Sequence, residues 1–145
     1  MLIREVNADD LDGLLQLYTH LHNNSVPEEL TYVCSVWNKI LSNPNHHIIV
    51  ALEDGLIVSS CVCVIILNLT HHQQPYALIE NVVTHTDYRG RGLATACLDY
   101  AKKLAIEADC YKIMLMTGSK QDSTLAFYER AGYNRTDKTA FIQWI

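Results

Sequence analysis

The chain has 145 residues, of which 49% are hydrophobic and 19% charged, and its mean hydropathy is +0.02. This composition excludes a disordered chain, which needs low hydrophobicity and high net charge. The net charge of −5 argues against nucleic acid or membrane as a partner, because proteins that bind these polyanions are usually basic. The length suits one domain, which we expect to span residues 1–145.

The five cysteines predict the compartment. Their number is odd, no two form a C-x-x-C pair, and the N-terminal segment has no secretory h-region. We therefore expect a cytoplasmic protein with reduced thiols. Cys61 and Cys63 share one face of a predicted strand, and we interpret them as buried hydrophobes. The histidine pairs at 46–47 and 71–72 have no neighbouring ligands that complete a set, so we predict no metal.

Apolar periodicity predicts the element order β-α-α-β-β-β-α-β-α-β. A first strand covers Leu2 to Val6, and a helix follows from residue 11 to residue 21. A capping box at Ser25–Glu28 predicts the start of a second helix that ends near Leu41. Asp54-Gly55, between two apolar runs, predicts a hairpin, and the second of these runs is a strand over 56–69.

The second half of the chain predicts one crossover and a last hairpin. A strand over 76–83, a helix over 93–108 and a strand over 111–116, buried on both sides, form a unit that would give a parallel pair. A helix over 122–131 is predicted to end at Gly132. Tyr133 and residues 140–145 supply the last strand or hairpin. The fold class is α/β (α+β), with a mixed and mostly antiparallel sheet.

A glycine-rich segment between the strand over 76–83 and the next helix is the most informative stretch of the sequence. It reads Asp87-Tyr88-Arg89-Gly90-Arg91-Gly92-Leu93-Ala94-Thr95. Glycines let backbone N–H groups approach a ligand closely, and a helix N-terminus adds partial positive charge and unpaired donors. The two arginines add cations, and the Thr95 hydroxyl adds a donor. This combination predicts a pyrophosphate site.

Two motifs in this order resemble a known family. Arg89–Ala94 matches R-x-x-G-x-A, and Phe127–Tyr133 (FYERAGY) is similar to a later F-Y-E-K-x-G-F block. The chain thereby resembles the GNAT (Gcn5-related) N-acetyltransferases over nearly its whole length. Residues 80–83 and 110–115 also resemble the glucosamine-6-phosphate N-acetyltransferases. The chain departs from those enzymes at Asn81, Thr84, Thr86 and Gln121 and in the loop over residues 116–122.

The resemblance implies a fold and a cosubstrate. It implies a single GNAT-like domain with a central parallel strand pair splayed to hold coenzyme A and helices on both faces. Acetyl-CoA would be the cosubstrate, and a backbone N–H of Val82 or a neighbour would bind the thioester oxygen. The expected cofactor-binding residues are Val82, Val83, Thr84, Arg89, Gly90, Arg91, Gly92, Leu93, Ala94, Thr95 and Tyr128.

Two side chains are candidates for proton transfer. The resemblance implies that Tyr128 lies near the sulfur as a general acid, although helical spacing also allows it a place in the core. Glu80 interrupts an apolar strand, which makes it the candidate base, directly or through a water, although an exposed strand face or a structural hydrogen bond would also account for it. His85, at the end of the same strand, is the alternative base because the imidazole titrates near neutrality.

We therefore expect an N-acetyltransferase that moves an acetyl group from acetyl-CoA to a primary amine of a small molecule, by direct attack in a ternary complex. A non-catalytic acyl-CoA-binding or sensor domain and a protein N-acetyltransferase are the alternatives. The acceptor pocket is expected from residues 9–42, with loops at 68–75 and 134–139. The sequence leaves open the identity of the amine and the assembly of a homodimer, in which Trp144 would lie at the contact or else cap the core.

Overall fold

The computed structural model describes residues 1–22 and 24–145. In these residues a five-stranded sheet combines with four α-helices, and short 3-10 helices lie at Ala8–Asp10, His71–Gln73 and Thr86–Tyr88. The elements are β1 Leu2–Glu5, α1 Leu11–Tyr18, α2 Thr31–Leu41, β2 His46–Glu53, β3 Leu56–Ile66, β4 Tyr76–Thr84, α3 Leu93–Glu107, β5 Ile113–Leu115 and α4 Asp122–Arg130.

The sheet has the strand order β1-β2-β3-β4-β5. Neighbouring strands are antiparallel except β4 and β5, which are parallel, so the predicted mixed sheet is confirmed. Asp54 and Gly55 have φ values of 51° and 82°, which suits the predicted hairpin turn between β2 and β3. The parallel pair lies at the edge of the sheet rather than at its centre, because no strand follows α4 in the described chain.

Helices cover both faces of the sheet, as expected. On one face α3 packs on Ile49, Cys61 and Ile79, and on the other Leu14 and Trp37 from α1 and α2 pack on the sheet. From Cys61 to Ile65, successive residues of β3 alternate between the two cores, which explains the continuous apolar run there. The interpretation of Cys61 and Cys63 as buried hydrophobes is confirmed, since both are fully buried free thiols.

Both predicted helices in the first half have different limits in the structure. α1 ends at Tyr18 rather than at residue 21. α2 begins at Thr31, and the capping box predicted at Ser25–Glu28 was wrong. The Glu29 carboxylate accepts the Thr31 N–H at 2.6 Å instead, so a different acidic side chain satisfies an N–H at the start of this helix.

The predictions for the last strands were also corrected. β5 has only three residues, and these are half-buried rather than buried on both sides, because the strand lies at the sheet edge. Residues 133–145 contain no strand. Trp144 is 85% exposed, so it does not cap the core. Periodicity alone could not show that the apolar segment over 140–145 lacks a neighbouring strand to pair with.

Candidate active site

A cleft of about 990 Å³ opens where β4 and β5 separate. The two strands pair only from Ala77↔Ile113 to Ile79↔Leu115, although β4 continues to Thr84. Residues 80–84 therefore have no partner on β5. The cleft wall combines this part of β4 with the start of α3, residues 115–118 and one side of α4. The splayed pair that the resemblance implies is thus present in the structure.

A β-bulge between β3 and β4 lies where β4 separates from β5. Ser60 pairs with Val83 and Val62 pairs with Glu80, so two residues of β4 oppose the single residue Cys61 of β3. One of these two is Asn81, with a φ of 50°, a conformation that asparagine tolerates better than most residues. The sequence indicated Asn81 only as a departure from relatives. Its tolerance of positive φ was the signal that could have placed the bulge.

The loop before α3 forms the other end of the cleft. Gly90 and Gly92 have φ values of 76° and 78°, and a Cβ on either would meet no atom within 4 Å. Gly92 is the N-cap of α3, whose first N–H groups have no partners within the helix. Arg89 lies on the cleft wall, and its Nε donates to the Thr84 carbonyl at 3.3 Å. The predicted pyrophosphate loop therefore has an open, cationic backbone cradle.

Arg91 is placed differently from Arg89. Its guanidinium lies 3.4 Å from a Glu53 carboxylate oxygen, donates to the Asp87 carbonyl at 3.2 Å, and sits 4.8 Å from the centre of the Tyr88 ring. Arg91 does not line the cleft, and its contacts instead connect the loop before α3 to Glu53 and Tyr88. The other predicted cofactor-binding residues do line the cleft: Val82, Val83, Thr84, Gly90, Gly92, Leu93, Ala94, Thr95 and Tyr128.

Tyr128 belongs to both the cleft and the core. It lines the cleft from α4, and its ring packs against Phe127 and Tyr133 with centroid separations of 4.9 Å and 6.3 Å. Burial, with a smaller contribution from nearby Cys61, raises the pKa of the Tyr128 phenol. The phenol therefore stays protonated at neutral pH. α4 ends as predicted, with Gly132 at a φ of 97° just beyond its last turn.

Glu80 and His85, the two candidate bases, differ in their surroundings. Glu80 pairs across the ladder with Val62 and lines the cleft as well as a second cavity behind the sheet. His85 lines neither. Its Nδ1 accepts the Asp87 N–H at 3.2 Å, and its ring lies 4.1 Å from the ring of His20. The placement favours Glu80 as the group that meets an acceptor.

His20 is a cleft residue that the sequence did not indicate. It lies just beyond α1, and its Nδ1 is 2.9 Å from the Thr86 hydroxyl oxygen, sixty-six residues along the chain. No local pattern around His20 distinguishes it from a surface histidine. Only the packing of α1 beside the end of β4 brings it to the cleft.

The family of the chain follows from comparison with known proteins. The model of the acetyltransferase (GNAT) family matches residues 11–133. The chain therefore belongs to the GNAT family, whose members are acyltransferases that use acetyl-CoA.

Individual relatives agree with this family. The acetyltransferase SG1711 of Sodalis glossinidius is 36% identical over 58 residues, which cover 40% of this chain and only 41% of that relative. A putative acetyltransferase from Agrobacterium tumefaciens is 35% identical, with a TM-score of 0.92 over 99% of this chain and 100% of its own. Glucosamine-6-phosphate N-acetyltransferase from Arabidopsis thaliana shares the fold, with a TM-score of 0.84 and 21% sequence identity. The match covers 99% of this chain and 98% of the Arabidopsis chain.

The described residues lack two other kinds of feature. No helix within residues 1–22 and 24–145 is both long and apolar enough to cross a bilayer. Over the same ranges, no group of three or more His, Cys, Asp or Glu side chains is arranged to hold a metal ion.

Proposed function

We propose that this chain transfers an acetyl group from acetyl-CoA to a primary amine of a small molecule, by direct attack in a ternary complex. One observation carries the proposal. A single cleft runs from the helix N-terminus at Gly92, past the separated strand at 82–84, to Tyr128 and Glu80. These are the parts that acetyl transfer needs, namely an anion cradle, a row of backbone groups, an acid and a base.

The residues present fit acetyl-CoA. The open space over Gly90 and Gly92 allows a pyrophosphate to approach the backbone, and the first turn of α3 supplies N–H donors and the Thr95 hydroxyl. Arg89 supplies a cation at the same end. When bound, acetyl-CoA supplies the activated thioester. Residues 82–84 would hold its pantetheine arm, and a backbone N–H of this strand would stabilise negative charge on the thioester oxygen.

Glu80 and Tyr128 would move the protons. Glu80, directly or through a water, accepts a proton from the substrate ammonium, which frees the nitrogen lone pair for attack on the thioester carbon. The attacking nitrogen then carries two hydrogens and a positive charge, and it would lose one of these protons to water. As the C–S bond breaks, the Tyr128 hydroxyl would donate its proton to the sulfur, and CoA would leave as the thiol. The products are the N-acetylated amine and CoA, and the proton taken by Glu80 returns to solvent. A proton from solvent then restores the Tyr128 hydroxyl.

Arg89→Ala tests whether the loop before α3 binds coenzyme A. We expect this substitution to weaken coenzyme A binding by about 1–3 kcal/mol, the scale of a charge-assisted hydrogen bond. Isothermal calorimetry measures the dissociation constant directly. Lys103→Ala is the matched control, because Lys103 is an exposed cation on α3 that pairs with Glu107 at 3.8 Å, away from the cleft. Equal affinity in the Arg89 variant and the control would contradict the cradle.

Location and assembly stay predictions. The free cysteines, three of them fully buried, support a reducing compartment such as the cytoplasm. A homodimer would cover the exposed apolar side chains near the end of the chain, which are Phe141, Ile142, Trp144 and Ile145.

A further inference from the structure

A second cavity, of about 550 Å³, lies on the opposite face of the sheet from α3. It sits between α1, α2 and the β2–β3 surface, within the core that contains Leu14 and Trp37. Its volume is in the range that holds a small organic molecule. The expected acceptor region over residues 9–42 contributes most of one side, while the loops at 68–75 and 134–139 contribute nothing.

The wall of this cavity is mostly aliphatic and aromatic. Representative members are Leu11, Leu15, Val33, Val36, Trp37 and Val64. Among the described residues, no Lys or Arg lines it. A phosphate or sulfate group would therefore enter it without a cation to pair with, which is costly in an apolar site.

The polar members of the wall leave one charge at neutral pH. Burial and the neighbouring His47 lower the pKa of His46, so its imidazole is neutral at pH 7. Burial raises the pKa of Tyr18 to about 12, so its phenol is neutral too. The remaining ionisable groups on the wall are Tyr32 and Glu80. The Glu80 carboxylate is thus the single charged group, and it suits one ammonium.

Glu80 and Asn81 lie on the walls of both this cavity and the acetyl-CoA cleft. The two spaces therefore lie on either side of the bulge of β4. A molecule whose body fills the apolar cavity can place a nitrogen at Glu80, which also lines the cleft. An acceptor that carries charges or hydroxyls over its whole surface would lose the hydration of those groups against Leu, Val and Trp side chains, which costs free energy.

We propose that the acetyl acceptor is a primary monoamine on an apolar, aromatic-sized body, bound in the cavity between α1 and α2 with its nitrogen at Glu80. This inference rests on the proposed acetyl transfer and names its substrate class. It excludes amino-sugar phosphates, polyamines and aminoglycosides as preferred acceptors. These carry phosphate, several ammonium groups or many hydroxyls that the described wall does not match.

An acceptor panel at fixed acetyl-CoA tests the substrate class. The readouts are thiol release and mass spectrometry of the acetylated amine. We expect kcat/KM for 2-phenylethylamine to exceed that for ethylamine by at least about 100-fold, since each buried methylene-sized group contributes roughly 4-fold. Pentylamine should exceed 1,5-diaminopentane, which has the same length but carries a second ammonium. Glucosamine 6-phosphate, an aminoglycoside and a short peptide with a free N-terminus should each be poorer than 2-phenylethylamine.

A charge placed in the wall tests the location. Val36→Lys, on the half-buried cavity side of α2, should raise KM for 2-phenylethylamine at least about 10-fold while acetyl-CoA affinity stays unchanged. Ser35→Lys is the matched control, because Ser35 is exposed on the same helix and outside the cavity wall. Circular dichroism verifies that both variants fold. An unchanged KM in a folded Val36→Lys protein would place the acceptor elsewhere.

The outcomes separate this inference from the proposed function. Preferred acetylation of glucosamine 6-phosphate, a polyamine, an aminoglycoside or a peptide N-terminus would overturn the substrate class and leave acetyl transfer standing. If no amine in the panel is acetylated while coenzyme A binds, both proposals fail together. Preference for 2-phenylethylamine and pentylamine, lost in Val36→Lys and kept in Ser35→Lys, supports both.

Discussion

Replacing Tyr128 by phenylalanine should lower kcat by roughly 10²-fold and leave acetyl-CoA binding unchanged, as expected for the loss of a general acid. The hydroxyl is removed with little change in volume, so the packing against Phe127 and Tyr133 is retained. An ordinary phenol has a pKa of about 10 and an ordinary thiol about 8.5, so complete proton transfer is uphill by about 2 kcal/mol. Burial of Tyr128 adds to this difference. The effect should therefore lie at the low end of general-acid catalysis.

The measurement is steady-state kinetics with saturating acetyl-CoA, after circular dichroism has shown that the protein is folded. Tyr133→Phe is the control, because Tyr133 is a neighbouring half-buried tyrosine whose pKa is also raised by burial and which does not line the cleft. Wild-type kcat in Tyr128→Phe would refute the acid role. A lower melting temperature with intact kcat would assign Tyr128 to the core alone.

Replacing Glu80 by glutamine should lower kcat/KM by about 10²-fold and flatten the acidic limb of its pH profile. Glutamine keeps the shape of the side chain and removes the group that accepts the proton. The acidic limb reflects protonation of that group, so it should persist in Tyr128→Phe. Stability should change little, because Glu80 is exposed and has no side-chain hydrogen bond within the described part of the chain.

A matched control and an alternative define this test. Glu107→Gln removes an exposed carboxylate at the last residue of α3, which lines neither the cleft nor the second cavity. This variant should keep the wild-type pH profile. If Glu80→Gln retains the acidic limb, the base is His85 or a bare water. His85→Gln then distinguishes these two, because the acidic limb of the kcat/KM profile is lost in this variant only if the His85 imidazole is the base.

The sequence predicted the part of the fold that local chemistry determines. Asp54-Gly55 identified its hairpin, and Gly132 identified the end of α4, because each glycine adopts a positive φ that other residues avoid. The loop at Arg89–Ala94 was located for the same reason. Its match to R-x-x-G-x-A, together with the block at Phe127–Tyr133, also carried the resemblance to the GNAT family.

What the sequence missed depends on long-range packing. The start of α2 was placed too early, because both Ser25–Glu28 and Glu29 offer plausible side-chain acceptors and only tertiary structure selects between them. The apolar pattern over 140–145 predicted a strand, but strand formation also requires an edge to pair with. His20 reaches the cleft, and Arg91 turns away from it, through contacts with residues distant in the chain.

The acceptor cavity shows the same limit. Leu14, Val33 and Trp37 have the spacing of a buried helix face, so periodicity predicts ordinary core at these positions, and only the resemblance placed the acceptor pocket within residues 9–42. A space between packed helices leaves no trace in that spacing. The out-of-pattern Glu80 was a sequence signal at this place, and in the structure it lies on the walls of both the cavity and the cleft.

The most direct test of acetyl transfer is to quantify both products of one reaction. The chain is incubated with acetyl-CoA and, in separate reactions, with 2-phenylethylamine and each other amine of the panel, and the released CoA thiol and the N-acetylated amine are measured together by mass spectrometry. We predict equal amounts of the two products, both reduced in Glu80→Gln and in Tyr128→Phe. Tight binding of acetyl-CoA with no acetylated product from any amine offered would contradict the account and indicate an acyl-CoA sensor instead.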